Sequence, residues 1–83
     1  MFLARIYVSP KPTVNDPEGL TILSSLGQLG YQNVISVRSG KYIEVQIDEI
    51  HEPTAREKVV EMCDKLLANP VIEEYRFELE KVN

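Results

Sequence analysis

The sequence has 83 residues, of which 43% are hydrophobic and 27% charged, and its formal net charge is -4. This length allows one domain, expected over residues 1–83, and the acidic balance excludes nucleic acid and anionic membrane surfaces as expected partners. The first residues lack the uninterrupted apolar stretch of a signal peptide, so we expect a cytoplasmic location. A domain this small buries little surface, which favours self-association.

The first predicted element is a β-strand with one wholly apolar face. The inward residues alternate with outward ones and are Phe2, Ala4, Ile6 and Val8. Pro10 and Pro12 should end this strand, because proline cannot donate a hydrogen bond to a β-ladder.

A helix is predicted from Pro17 to about Leu29. Asp16 can cap its free N–H groups, and proline suits the first helical position. Gly30 stands where a left-handed C-terminal cap is usually needed. The apolar stripe of this helix consists of Ile22, Leu23, Leu26 and Leu29.

Two strands are predicted next, from Val34 to Ser39 and from Lys41 to Asp48. The turn at Gly40 is so short that the two strands should form an antiparallel hairpin. The second strand has the clearer alternation, with one apolar face made by Ile43, Val45 and Ile47.

The second predicted helix begins at a capping box, in which Thr54 and Glu57 satisfy each other's backbone donors. It should end at Asn69 and Pro70, because the residue before a proline avoids the helical conformation. The buried stripe of this helix is Ala55, Val59, Met62, Cys63 and Leu66. A last strand is predicted from Glu74 to Val82.

The order βαββαβ predicts an α+β fold similar to the ferredoxin-like pattern, a four-stranded antiparallel sheet with two helices on one face. The alternation then places a mixed charged and tyrosine set on the other face. This set is Arg5, Tyr7, Ser36, Arg38, Tyr42, Glu44, Gln46, Arg76 and Glu78. Two interpretations remain open, a protein interface and a solvated sheet face.

The residues give no support for catalysis by this chain. Cys63 lies on an apolar stripe, which indicates a buried structural thiol, and His51 alone is too little for a zinc site. Glu73 and Glu74 are adjacent on a strand and face opposite sides, so they cannot act as an acid–base pair. The turn at Gly40 lacks a phosphate-binding pattern. We therefore expect no catalytic, cofactor-binding or metal-binding residue.

Three segments of the chain together resemble the PurS family, in the order and spacing of that family. They are NDPEG at residues 15–19, LGY at 29–31 with VRSGK at 37–41, and MCDKLLANPVIEEY at 62–75. The resemblance covers almost the whole chain, and the last segment is the most specific. Asn15 and Glu18 depart from the residues that the family often has there.

The resemblance implies a non-catalytic subunit of phosphoribosylformylglycinamidine synthase in de novo purine biosynthesis. In that complex a PurQ-type glutaminase releases ammonia, and a PurL-type synthetase uses it together with ATP and Mg. PurS bridges these two partners, assists ammonia transfer and forms a homodimer or tetramer. No cofactor is expected on the PurS chain itself.

We hypothesise that residues at the ends of elements and on the open sheet face shape the contact surfaces. They are Tyr7, Arg38, Gly40, Lys41, Tyr42, Asn69 and Pro70. An alternative is an amino-acid-binding regulatory module of the ACT type, whose element order and helix start at residues 16–19 look similar. A third interpretation, an RNA-recognition domain that stacks bases on two of these tyrosines, is disfavoured by the acidic charge.

Overall fold

The computed structural model describes residues 1–82, and these fold into three strands and two helices. In chain order the elements are β1 (Phe2–Pro10), α1 (Pro17–Gln28), β2 (Lys41–Ile47), α2 (Glu52–Met62) and β3 (Glu73–Lys81). A π-helical turn, Cys63–Leu67, continues α2. The predicted bounds of β1, α1, β2 and β3 are confirmed to within one or two residues.

The sheet has β1 at its centre, with β2 and β3 paired to it on either side, both antiparallel. The inward residues of β1 are buried and form the middle of the core, as its alternation predicts. The register places Tyr7 opposite Tyr42 on one side and Arg76 on the other. The α+β class and the antiparallel sheet are therefore confirmed.

The predicted strand from Val34 to Ser39 is wrong, so the sheet of the described chain has three strands rather than four. The polar groups of this segment bond to the loop before α1 instead of to β2. The N–H of Ser39 donates to a carboxylate oxygen of Asp16 over 2.7 Å, and Arg38 Nη2 donates to the carbonyl of Lys11 over 2.8 Å. These bonds fix the segment away from the edge of the sheet.

The prediction that both helices cover one face of the sheet is also wrong, because only α2 does so. Gly19, in the first turn, is the only buried residue of α1. We call residues 17–38 the arm, which comprises α1 and the segment that returns from it. The radius of gyration is 16.3 Å, against about 12 Å for a compact domain of this length. The long dimension of 50 Å agrees with an arm that projects from the body.

The core lies between β1 and α2. Ile6, Val59 and Cys63 are the largest fully buried side chains, and half-buried residues of β2 and β3 surround them. The predicted stripe of α2 is confirmed except for Leu66, which is 81% exposed.

Helix α2 begins at Glu52, two residues before the predicted capping box. His51 is the N-cap, makes no side-chain cap hydrogen bond, and accepts the N–H of Ala55 on its carbonyl over 3.1 Å. Pro53 explains the earlier start, because proline lacks an N–H and so leaves no donor unsatisfied in a first turn. The capping box of Thr54 and Glu57 is therefore wrong.

Candidate protein-interaction surfaces

The base of the arm is fixed by Asp16, whose side chain is buried beside the first turn of α1. One carboxylate oxygen accepts the N–H of Gly19 over 3.1 Å, and the other accepts the N–H of Ser39 over 2.7 Å. The hydrogen bonds from Ser39 and Gly19, with the nearby charge of Arg38, lower the pKa of this carboxyl. Asp16 thus caps α1 and ties the returning segment to it.

Backbone packs directly on backbone at two glycines near this base. A Cβ at Gly19 would collide with the carbonyl oxygen of Val37, and a Cβ at Gly40 would collide with that of Val8. Both positions therefore require glycine for space rather than for an unusual backbone angle. These contacts add to the rigidity of the connection between arm and sheet.

The arm carries no charge between its two ends and exposes several large apolar side chains. Residues 19–37 contain no charged residue, although 27% of the whole chain is charged. The large side chains that it exposes are Leu20 (54%), Ile22 (39%), Leu29 (74%), Tyr31 (57%) and Ile35 (88%). Depletion of charge with exposed apolar groups is typical of the centre of a protein interface. The run without charged residues is visible in the sequence, and it is the signal that indicates this surface.

A second apolar surface is a groove of about 440 Å³ between β2 and the end of α2. Its apolar wall consists of Val45, Met62, Leu66 and Leu67. The rim is charged and mixed in sign, with Lys65 bonded to Glu61 over 2.7 Å. In the π-helical turn the N–H of Ala68 bonds to the carbonyl of Cys63, five residues earlier, and leaves Leu66 exposed.

The open face of the sheet carries seven of the nine residues of the predicted charged and tyrosine set. Tyr7 and Tyr42 lie with ring centroids 5.2 Å apart, and the guanidinium of Arg76 lies 4.0 Å from the centre of the Tyr7 ring. Arg5 forms an ion pair with Glu80 over 2.6 Å. Of the residues predicted for this face, only Ser36 and Arg38 lie outside the strands.

The other predicted interface residues meet at one end of the sheet, which we call the loop end. Arg38, Gly40 and Lys41 enter it from one side, and Asn69 and Pro70 from the other. Two polar contacts connect these residues to Lys11 and to the start of β3. Lys11 Nζ donates to the carbonyl of Pro70 over 2.8 Å, and Lys41 Nζ lies 3.9 Å from Glu73.

Among the residues that the structure describes, 1–82, Cys63 has no catalytic partner. The thiol is fully buried, and burial, with a smaller contribution from Asp64, raises its pKa. A raised pKa keeps the sulfur protonated and unreactive at neutral pH. His51 is at the opposite end of α2, about 18 Å away along the helix.

Residues 1–82 contain neither a metal-binding cluster nor a membrane-spanning helix. They contain no group of three histidine, cysteine or acidic side chains arranged to hold a metal ion. Neither helix in that range has the length and apolar character needed to cross a membrane.

Comparison with known proteins gives a consistent match over nearly the whole chain. Residues 3–81 match the family model described as PurS, phosphoribosylformylglycinamidine (FGAM) synthase. The PurS subunit of Synechocystis sp. is 52% identical over 90% of this chain and 75% of its own length. The PurS subunit of Bacillus subtilis is 44% identical over 99% of this chain and 96% of its own length.

Solved structures agree with the sequence comparison. The C2 crystal form of B. subtilis PurS superposes with a TM-score of 0.88, covers 98% of this chain and 100% of its own, and is 44% identical. A chain in the structure of PurLQS from Thermotoga maritima superposes with a TM-score of 0.84 at 31% identity, covering 96% of this chain and 99% of its own.

Proposed function

The chain belongs to the PurS family of phosphoribosylformylglycinamidine synthase subunits, and from that premise we propose that it is the bridging subunit of this enzyme. In this role it holds a PurL-type synthetase and a PurQ-type glutaminase in a fixed relation, as one domain over residues 1–83 in the cytoplasm. ATP and Mg are used by the synthetase, and this chain supplies surface. The observation that carries the proposal is the match to PurS subunits over almost the full length of both chains.

Two structural features support a role through contacts. The arm exposes an uncharged apolar surface that favours association, and the loop end gathers five of the predicted interface residues. We propose that the loop end meets the synthetase or the glutaminase. It contains both cationic side chains, Arg38 and Lys41, and exposed apolar groups such as Val71, which is 76% exposed.

A fixed docking arrangement has a chemical reason. Ammonia released into water would be protonated and lost as a nucleophile before it reached the synthetase. Subunits that are held in place can exclude water from the path between the two sites. The bridging chain therefore acts on the coupling of the two reactions rather than on either reaction alone.

The experiment is reconstitution of the synthase from the purified synthetase, glutaminase and this chain. We expect all three to co-purify, and omission of the chain to abolish most glutamine-dependent synthesis while ammonia-dependent synthesis at high ammonia is reduced less. Equal rates from both nitrogen sources with and without the chain would contradict the proposal. Saturable binding of an amino acid to the isolated chain, measured by calorimetry, would instead favour the ACT-type alternative.

A pair of substitutions examines the loop end. Lys41→Ala removes a charge that makes only a 3.9 Å contact with Glu73, whereas Arg38→Ala also removes the hydrogen bonds to the carbonyls of Lys11 and Val14. We expect both variants to weaken co-purification with the partners. The matched control is Lys81→Ala, a cation at the far end of β3. If the Lys41→Ala variant folds and co-purifies with its partners as well as the parent does, this residue is not part of the proposed contact.

A further inference from the structure

The turn that leads into β3 is closed by its own hydrogen bonds. The side-chain oxygen of Asn69 accepts the N–H of Val71 over 3.0 Å. The carbonyl of Asn69 accepts the N–H groups of Ile72 and Glu73 over 3.2 and 2.7 Å. The carboxylate of Glu73 accepts the N–H of Asn69 over 2.7 Å. Asparagine commonly closes turns in this way and Pro70 restricts the backbone, so these five residues, which we call the Asn69 turn, set their own conformation.

Lys11 connects the Asn69 turn to the end of β1 and to the base of the arm. Its N–H donates to the carbonyl of Ile72 over 2.9 Å, and its Nζ donates to the carbonyl of Pro70 over 2.8 Å. The carbonyl of Lys11 accepts a hydrogen bond from Arg38 Nη2 over 2.8 Å. The turn, the end of β1 and the base of the arm therefore form one connected surface rather than three separate loops.

The Asn69 turn exposes apolar side chains although its backbone is already hydrogen-bonded. Val71 is 76% exposed, and Ile72 is 43% exposed. A loop that meets only water needs no such internal bonds, because water can satisfy its backbone N–H and carbonyl groups. Fixing an exposed apolar group in advance lowers the entropy that is lost when a partner binds it. The turn therefore has the features of a pre-formed anchor with Val71 at its centre.

Charged groups flank the Asn69 turn on two sides and differ in sign. Towards β2 lie Arg38 and Lys41, and the side chain of Lys41 is 51% exposed. Arg38 Nη2 bonds to two carbonyls, and a guanidinium with five N–H donors has others for an anion. Towards β3, Asp64 and Glu74 line a pocket of about 250 Å³ that reaches Pro70. An apolar centre with a polar rim is typical of a protein interface.

From these features we propose that Val71 is an anchor that inserts into an apolar pocket on one of the two partner subunits of the synthase. The pocket has a carboxylate opposite Lys41 and a basic group opposite Asp64, because the rim of the turn is cationic on one side and acidic on the other. This inference rests on the proposed function and deepens it, by naming the anchoring residue and the chemistry of the surface that receives it. A second copy does not suit this position, because a two-fold contact would place one convex turn against another.

Affinity measurements with each purified partner subunit test the anchor. Val71→Ala shortens the central side chain of the turn, and we expect the dissociation constant for one partner subunit to rise at least fivefold. A single anchor fills one pocket, so the affinity for the other subunit should stay within twofold. The matched control is Ile50→Ala, which shortens a residue that is 82% exposed at the opposite end of the sheet and should change neither constant by more than twofold.

A second pair of variants separates the shape of the turn from the contact itself. Asn69→Ala removes the oxygen that accepts the N–H of Val71, but it leaves the anchoring side chain in place. We expect the affinity for the same subunit to fall severalfold, because the turn then has more conformations to lose on binding. Asn69→Ser keeps a side-chain oxygen at this position and should recover part of the loss. Amide hydrogen exchange at Val71 should be faster in Asn69→Ala than in the parent.

Three results would overturn the anchor. They are unchanged affinity for both subunits in Val71→Ala and Asn69→Ala, an equal loss for both subunits, and weaker self-association of Val71→Ala in sedimentation of the chain alone, which would make a second copy the occupant. The proposed function fails by a different result. A parent chain that binds neither subunit overturns it together with the anchor, whereas a parent that restores glutamine-dependent synthesis and a Val71→Ala variant that binds equally well overturn the anchor alone.

Discussion

The body, formed by the sheet with α2, and the arm differ in what stabilises them. In the body, Ala4, Ile6, Val59 and Cys63 have no exposed surface, whereas the arm buries only Gly19. The arm keeps its conformation through the hydrogen bonds of Asp16 and close backbone contacts at its base. Within one short chain, folding therefore depends on the body, while the arm leaves large apolar side chains exposed for contacts with other molecules.

The largest difference between the two regions should come from the same substitution in each. Ile6→Ala removes a fully buried side chain from the body and should lower the free energy of unfolding by about 2–5 kcal/mol. Ile35→Ala changes an arm residue that is 88% exposed and should alter it by less than about 0.5 kcal/mol. Urea unfolding of dilute monomer provides both values. Equal losses would show that the arm is part of the folding core.

Two glycine-to-alanine substitutions should change the free energy of unfolding by smaller amounts and in opposite directions. Gly40→Ala places a methyl group against the carbonyl oxygen of Val8, and because backbone must move, we expect a loss of about 1–3 kcal/mol. Gly27→Ala, within α1, meets no atom within 4 Å and should stabilise the helix by about 0.5–1 kcal/mol. Thermal unfolding gives the sign of each change. A destabilised Gly27→Ala monomer would indicate that the body contacts this part of the arm.

Asp16 connects the two regions and should make their connection sensitive to acid. Its pKa is lowered in the folded chain, so its contribution to stability is complete above the unfolded pKa of about 4. The contribution is lost as the pH falls through the lower folded value. We expect Asp16→Asn to lower Tm by several degrees at pH 7 and to have less effect near pH 3. The parent should converge on the variant as acid is added. A pH-independent difference would contradict the role of the carboxylate charge.

The smallest effect is expected on the open face of the body. Arg76→Ala removes the cation above the Tyr7 ring and should lower the free energy of unfolding by about 0.5–1 kcal/mol. Arg76→Lys keeps the charge but not the planar stacking, so it should recover part of the loss. Urea unfolding of the two variants beside the parent tests this order. A loss of several kcal/mol would show that the open face is as important to folding as the core.

Local signals in the sequence predicted most of the elements. The alternation of β1 is set by which side chains face the core, and the start of α1 by a carboxylate that bonds its first free N–H groups. The segment from Val34 to Ser39 has the composition of a strand as well. Its hydrogen bonds depend on Asp16, which is distant along the chain. The composition of the segment alone therefore could not predict that it bonds to the loop before α1 rather than to β2.

The candidate surfaces show the same limit. Alternation along the strands predicts most of the open face, and the motifs at the ends of elements indicate residues of the loop end that the fold does bring together. The sequence predicts that the apolar stripe of α1 packs on the sheet. An apolar stripe indicates that one side of a helix is buried in a contact, but it does not indicate against which surface. The uncharged residues 19–37 indicated a surface of a different kind from the rest of the chain.

The central place of β1 in the sheet has a consequence for synthesis on the ribosome. Phe2 pairs with Lys81, and Pro10 pairs with Glu73, so the strand that is made first completes its ladder with the strand that is made last. Until β3 emerges, one edge of β1 and its apolar face lack their final neighbours. Such distant pairing slows folding and prolongs exposure to aggregation, and we expect the nascent chain to depend on holding chaperones until β3 has left the ribosome.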